Sequence, residues 1–377
     1  MSSFNQTENP RFLQKLALMN WGLVILVCMI GGVGFAALYS AGGGHIKPYA
    51  DKHAMRFALG FSILFVTAMT TIRFWRQMAW PMYITSVLML IYVDVLGHIG
   101  MGAQRWIDLG FIRVQPSEIM KPSLVLALAA YFEKRDPHTI SRPLTVLFAA
   151  LIILFPVSVV ATQPDLGTSM TLMMAGTSVM ILAGVSWWYF LVGGVTAASL
   201  IPIGWMFMRE YQRNRVRIFM NPDLDPLGTG YHITQSKIAM GSGGVTGKGF
   251  LEGTQAKLNF LPEKQTDFIF TLWTEEWGMI GGLFLLGLFM LTFFYGMFIA
   301  ISCRQNFSRL MAMGLTMNIA IYVFINSAMV MGLLPVVGIP MPLVSHGGTA
   351  MLSVLFCYGL ILSASIHRDV KMRQGFM

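Results

Sequence analysis

Residues 21–39, Trp21-Gly22-Leu23-Val24-Ile25-Leu26-Val27-Cys28-Met29-Ile30-Gly31-Gly32-Val33-Gly34-Phe35-Ala36-Ala37-Leu38-Tyr39, hold no charged side chain. A helix of roughly 20 apolar residues spans the hydrocarbon core of a bilayer, so this run alone reads as a membrane crossing. Similar runs recur near 57–72, 79–97, 119–132, 144–161, 168–185, 189–208, 277–300, 310–333 and 349–366. About ten transmembrane helices follow, which predicts an all-α polytopic membrane protein forming a single multi-pass domain over 1–377. Arg11 and Lys15 precede the first run, which is too long for a signal-peptide core and is expected to remain as an anchor.

The whole composition agrees. Of 377 residues, 55% are hydrophobic and 11% charged, against roughly 25% charged in soluble domains. The 26 Lys+Arg and 17 Asp+Glu cannot cover a soluble surface of this size. That excludes a cytosolic enzyme or a secreted globular domain, and the long unbroken runs exclude a porin-type barrel. The 38 Gly and 30 Met suit helices that pack closely in lipid. Cys28, Cys303 and Cys357 form no close pair and read as packing residues.

The net charge of +9 belongs to membrane orientation rather than to nucleic acid. With a cytoplasmic N-terminus, the inner segments carry Arg11/Lys15, Arg73/Arg76, Lys134/Arg135/Arg142, Arg304/Arg309 and Arg368/Lys371/Arg373. Both termini are then cytoplasmic. Residues 209–276 form a large outer loop that nonetheless holds Arg209, Arg213, Arg215, Arg217, Lys237, Lys248, Lys257 and Lys264. Long loops translocate regardless of charge, so these cations need another purpose, and anionic phosphates at the outer surface supply one. Asp94 is the main ionisable group at a helix centre, a scarcity that argues against ion-coupled transport.

The polar chemistry gathers at the outer helix ends. In Leu261-Pro262-Glu263-Lys264-Gln265-Thr266-Asp267-Phe268-Ile269-Phe270, a carboxylate stands where a polar loop meets an apolar helix. Partial desolvation would tune Asp267 as a base, while its residue type also fits the plainer reading of a helix cap made by Thr266 or Asp267. Arg105-Trp106-Ile107-Asp108 and Gln115-Pro116-Ser117-Glu118-Ile119-Met120-Lys121-Pro122 form a second cluster. Glu118 and Lys121 share a helix face, and Pro122 withholds the amide that would pair with the Glu118 carbonyl, which therefore needs another polar neighbour. Asp165 in Gln163-Pro164-Asp165-Leu166-Gly167-Thr168 is placed to cap a helix through Thr168. Arg209, Arg213 and Arg217 recur at spacing four with Arg215 off that face, as either a solvated stripe or a phosphate clamp. Gly241-Ser242-Gly243-Gly244-Val245-Thr246-Gly247-Lys248-Gly249 lacks the first Gly and the Ser/Thr of a phosphate loop and supports only a backbone able to lie close to a ligand. Gly278 and Gly282, four apart, predict a flat stripe for a second helix, either within the chain or on a partner.

Together these motifs resemble the SEDS family of bacterial cell-wall polymerases. The resemblance is carried by residues 163–168, by Asp225-Pro226-Leu227-Gly228 with Gly230-Tyr231-His232-Ile233, by Gln235-Ser236-Lys237-Ile238-Ala239, by residues 261–270, and by Leu334-Pro335-Val336-Val337-Gly338-Ile339-Pro340-Met341-Pro342-Leu343-Val344-Ser345. Val337, where the division branch FtsW carries lysine, favours the elongation branch RodA, and His346 stands where the family more often has tyrosine. The resemblance implies a glycosyltransferase that polymerises peptidoglycan strands from lipid II at the outer face of the bacterial inner membrane during elongation and rod-shape maintenance. It further implies a class B penicillin-binding protein and the elongation machinery as partners. Asp267 matches the family's essential aspartate, and Arg105, Trp106, Glu118 and Lys121 match sensitive positions.

Such a reaction needs one base for the acceptor hydroxyl, here Asp267, and cations for the departing diphosphate, with Arg215, Lys237, Arg105 and Lys121 as candidates and Asp165 beside them. A divalent cation, Mg or Mn, could assist, although no ligand spacing points to one. An α-linked donor and a β-linked product imply one inverting displacement. The competing classes are a lipid II flippase, which would line its route with polar groups, and a non-catalytic membrane scaffold.

Overall fold

The computed structural model describes residues 11–369 apart from 97, 101–102, 109–112, 164, 209, 226–227, 258–259 and 261–262. Pro164, Arg209, Pro226, Leu227, Leu261, Pro262, Lys371 and Arg373 therefore lie outside the described residues. The helices are α1 (Phe12–Leu18), α2 (Trp21–Ala41), α3 (Ala50–Met69), α4 (Ile72–Leu96), α5 (Pro116–Glu133), α6 (Pro137–Ile140), α7 (Pro143–Thr162) and α8 (Leu166–Ala183). They continue with α9 (Trp187–Phe207), α10 (Glu210–Met220), α11 (Thr229–Gly243), α12 (Thr254–Lys257), α13 (Ile269–Ser302), α14 (Asn306–Val330) and α15 (Gly348–Ile366).

Among the described residues, each apolar run of the sequence has become one long helix: α2–α5, α7–α9 and α13–α15. Eight of these are long and apolar enough to cross a membrane. The other two, α3 and α5, owe their lower hydropathy to Asp51, Lys52 and Arg56 and to Glu118 and Lys121. Local signals set the ends: Asn20 caps α2 by accepting from the Leu23 amide at 3.2 Å, and α8 stops at Gly184 in the left-handed region at φ +93°.

Helix α14 is the hub, packed against α5, α8, α13 and α15, while α9 leaves its apolar surface uncovered by the rest of the chain. The basic short segments share one end of the bundle. Lys15 Nζ donates to the Met69 carbonyl at 2.6 Å, Arg76 pairs with Glu133 at 2.7 Å, Ser363 Oγ donates to the Thr70 carbonyl, and the Arg304 amide donates to the Arg368 carbonyl. Among the described residues, the opposite end carries the 42–49 segment, strands at 98–100, 103–108 and 113–114, Asp165, helices α10 to α12, the 263–268 turn and the 331–347 segment. A small antiparallel sheet there, β1 (His98–Gly100), β2 (Ala103–Asp108) and β3 (Arg113–Val114), pairs His98 with Trp106 and Ile107 with Val114.

Between Glu210 and Glu276 the described residues include α10, α11 and α12, and α13 already begins at Ile269. The expected flat stripe at Gly278 and Gly282 does not form. Gly278 interrupts α13 at φ +64° and ψ −163°, a conformation essentially reserved for glycine. The glycine-rich 243–249 loop docks into this break. The Met279 amide donates to the Gly244 carbonyl at 2.9 Å, and the Lys248 and Gly249 amides donate to the Glu275 and Glu276 carbonyls at 3.1 and 3.0 Å. A side chain at 278 would collide with the Gly247 amide nitrogen, and one at 282 would come within 2.8 Å of Thr274. The neighbour of this stripe is the chain's own loop, and the ligand-approach role expected for that loop is taken by α13 backbone.

Candidate active site

Asp267 stands in the 263–268 turn just before α13. The helix cap is Phe268, without a side-chain cap bond, and Thr266 Oγ1 turns away to donate to the Glu263 carbonyl and carboxylate. Neither residue caps α13, so the capping reading of this motif falls away. The turn is held from outside itself. Asn326 Nδ2 on α14 donates to the Asp267 carbonyl at 3.0 Å and to the Ile339 carbonyl at 2.7 Å. Ser345 Oγ donates to the Thr266 carbonyl at 2.6 Å, and the His346 amide donates to the Gln265 carbonyl at 2.8 Å. The 334–346 loop thus cradles the turn, with Gly338 (φ +71°) placed so that a Cβ there would stand 3.5 Å from Asp267 Oδ2.

Burial pushes the Asp267 carboxyl up to about 6, the nearby Glu263 charge adds to the shift, and Arg215 on α10 opposes it. A base with that value is ionised at neutral pH yet still holds a proton well, as general-base work requires. Arg215 is therefore within electrostatic reach of Asp267. Arg213 instead donates to the Trp205 and Met206 carbonyls at the end of α9, and Arg217 is exposed. Lys237 lies with its stem over Gly332, itself at φ +74°.

A second network is enclosed by α5, α14 and α15. Glu118 and Lys121 pair at 2.6 Å and are 4% and 2% exposed. Tyr322 OH donates to both Glu118 oxygens at 3.0 and 3.2 Å, and Lys121 Nζ sits 4.1 Å from the centre of the Tyr322 ring. The Lys121 ammonium is buried, paired with Glu118 and set against the Tyr322 ring, so gripping a diphosphate would require this pair to open. Tyr322 and Asn326 are four apart on one face of α14, so this helix carries both the buried pair and the hold on Asp267.

A third group surrounds the start of α8. Asp165 caps it through the Thr168 amide at 3.2 Å, as the sequence predicts, and also receives Arg105 at 3.7 Å and Gln115 Nε2 at 3.4 Å. Arg105 Nε reaches the Gln163 carbonyl, and Trp106 is half-buried beside it on β2. Gly167 lets the 334–340 loop close over this group, because a side chain there would press on the Val337 carbonyl at 2.6 Å. Among the described residues, no cluster of three His, Cys, Asp or Glu is arranged to hold a metal ion. Tyr322, Asn326, Ser345 and Glu276 escape sequence reasoning, since each is a polar residue in an apolar or loop context whose partner is distant in the chain.

Comparison with known proteins closes the question of kinship. A family model described as a cell cycle protein, spanning FtsW, RodA and SpoVE, matches residues 13–370. The chain is 43% identical over 370 residues to the peptidoglycan glycosyltransferase MrdB of Escherichia coli K12, covering 97% of this chain and 98% of that one. It is 33% identical over 360 residues to a probable peptidoglycan glycosyltransferase FtsW of Trichlorobacter lovleyi, covering 93% and 94%. A chain from a solved peptidoglycan synthase complex that coordinates polymerization and crosslinking superposes with a TM-score of 0.81 at 33% identity, over 94% of this chain and 99% of that one. The crystal structure of the rod shape determining protein RodA of Thermus thermophilus matches with a TM-score of 0.71 at 28% identity, over 94% and 98%. The chain belongs to the FtsW, RodA and SpoVE family, the SEDS family its motifs resemble.

Proposed function

We propose that this protein is a peptidoglycan glycosyltransferase that extends glycan strands from lipid II at the outer face of the bacterial inner membrane during cell elongation. The observation that carries the reading is Asp267: partly buried, raised to about 6, free of capping duty and beside an open glycine. In this mechanism its carboxylate takes the proton of the acceptor sugar hydroxyl as that oxygen attacks the anomeric carbon of the donor. The carbon–oxygen bond to the diphosphate breaks in the same displacement, and the diphosphate leaves as an anion without a proton. Arg215 is the cation best placed to balance that charge, with Arg105 held at the edge by Asp165 and Lys237 further along α11.

The distribution of short basic segments supports cytoplasmic termini and an outward-facing site. The 42–49, 163–165 and 331–347 segments cluster at the opposite end from those basic segments, which agrees with substrate arriving in the outer leaflet. The likeness to a chain from a polymerization and crosslinking complex supports a penicillin-binding transpeptidase as partner within the elongation machinery. Purified protein given labelled lipid II is the test. A ladder of strands that Asp267→Asn abolishes is expected; movement of lipid without polymer would indicate a flippase, and no reaction without a partner enzyme's own activity would indicate a scaffold.

A further inference from the structure

The turn that presents Asp267 has a second side. Between the end of α2, the start of α3, the 251–253 segment and α13 lies a cavity of about 560 Å³, whose lining includes Ser40, Gly43, Tyr49, Gly253, Lys264 and Glu276. Glu276, 2% exposed, takes a hydrogen bond from Ser40 Oγ. Lys264 is half-buried and stands three residues before Asp267 in the same turn. Glycines keep the space open. Nothing lies within 4 Å of a Cβ placed on Gly43, while a side chain at 253 would press on Glu275 Oε2 at 3.1 Å and on Glu276 Cγ at 3.4 Å.

A carboxylate and an ammonium in one cavity match, sign for sign, the two ends of an amino-acid head group. Lipid II carries a short stem peptide whose third residue ends in an amine and, in diaminopimelate-type peptides, in a neighbouring carboxylate. We propose that this cavity reads that residue, with its ammonium on Glu276 and its carboxylate on Lys264. The proposal rests on the glycosyltransferase reading and adds a peptide-recognition subsite to it. Because Lys264 shares the Asp267 turn, a seated peptide also steadies the base.

The experiment is steady-state polymerisation by the full chain with three substrates: diaminopimelate-type lipid II, the same molecule acetylated on the side-chain amine, and lysine-type lipid II. Acetylation is expected to raise the wild-type KM roughly tenfold, as loss of a charge-assisted hydrogen bond does. Glu276→Gln should raise the KM for the unmodified substrate similarly and add nothing for the acetylated one. Lys264→Met should weaken diaminopimelate-type but not lysine-type lipid II. Wild-type indifference to acetylation overturns the subsite while leaving strand synthesis intact, and this comparison needs no variant to fold. Equal losses on all substrates in Glu276→Gln would mean that the carboxylate only ties α2 to α13 through Ser40. Absence of polymer from every substrate would remove the glycosyltransferase reading itself.

Discussion

Ser353 Oγ on α15 donates at 2.7 Å to the Glu118 carbonyl on α5, the carbonyl that Pro122 leaves without its helical amide. A proline inside a helix removes one bond, and a carbonyl left alone away from water costs about 1–3 kcal/mol. Ser353 supplies the missing donor and in doing so pins α15 to the segment that holds the buried Glu118–Lys121 pair. Ser353→Ala should lower the melting temperature by several degrees. In a Pro122→Ala background, where the helix can satisfy its own carbonyl, the same change should cost much less. Equal losses in both backgrounds would mean that the hydroxyl is needed for something other than that carbonyl.

Asp267→Asn should fold and insert normally yet make no strands, because the isosteric amide cannot accept a proton. Long strands at near wild-type rate would remove Asp267 from the chemistry.

The pH profile gives an independent check on the same carboxylate. A base must be ionised, so kcat/KM should rise with pH through about 6 and level off above it. Arg215→Ala takes away a stabilising cation and should move this limb to higher pH. Glu263→Gln takes away a like charge and should move it lower. His346 is not the source of the limb: burial, Arg56 and Lys52 push it down to about 4 against the pull of Asp51, and its Nε2 stands 3.2 Å from Arg56 Nη1. His346→Tyr should therefore leave the limb where it is, and a profile that flattens in this variant would transfer the titration from Asp267 to the histidine.

Local chemistry was legible along the chain wherever cause and effect lie within one helical turn. The Asp165 cap on Thr168 and the Pro122 break with its demand for a polar neighbour rest on spacings of four or fewer, and the long helices rest on unbroken apolar runs contiguous in the chain. Partners far apart were not legible. Nothing in the run 310–333 distinguishes Tyr322 and Asn326 as the residues that grip Glu118 and the Asp267 turn, and nothing at 243–249 says that its glycines will fill a break in α13. The short sheet at 98–114 was missed because its strands are too short to alternate visibly.

Gly278→Leu bears on the partner surface. The φ of +64° disfavours any side chain by about 1–3 kcal/mol, and the collision with Gly247 adds to that. The variant should lose much of its melting temperature and detach the 243–249 loop, exposing it to protease. Selective loss of a co-purifying transpeptidase with an unchanged melting temperature would restore the glycine stripe as a docking surface.

The Glu118–Lys121 pair calls for a sharper test than exchanging its two members. A free ion pair tolerates exchange, but here Tyr322 fixes the polarity: its hydroxyl needs the carboxylate at 118, and its ring face, which is electronegative, favours the ammonium at 121. The exchanged protein would strand the hydroxyl and set a carboxylate against the ring, so its failure would say nothing about substrate. Tyr322→Phe keeps the ring and deletes only the hydroxyl. If the pair is a buried strut joining α5 to α14, this variant should lose about 1–3 kcal/mol of stability while the folded fraction keeps its KM for lipid II. A raised KM at an unchanged melting temperature would mean instead that the pair opens to meet the substrate, and Lys121 would return to the cations that hold the diphosphate.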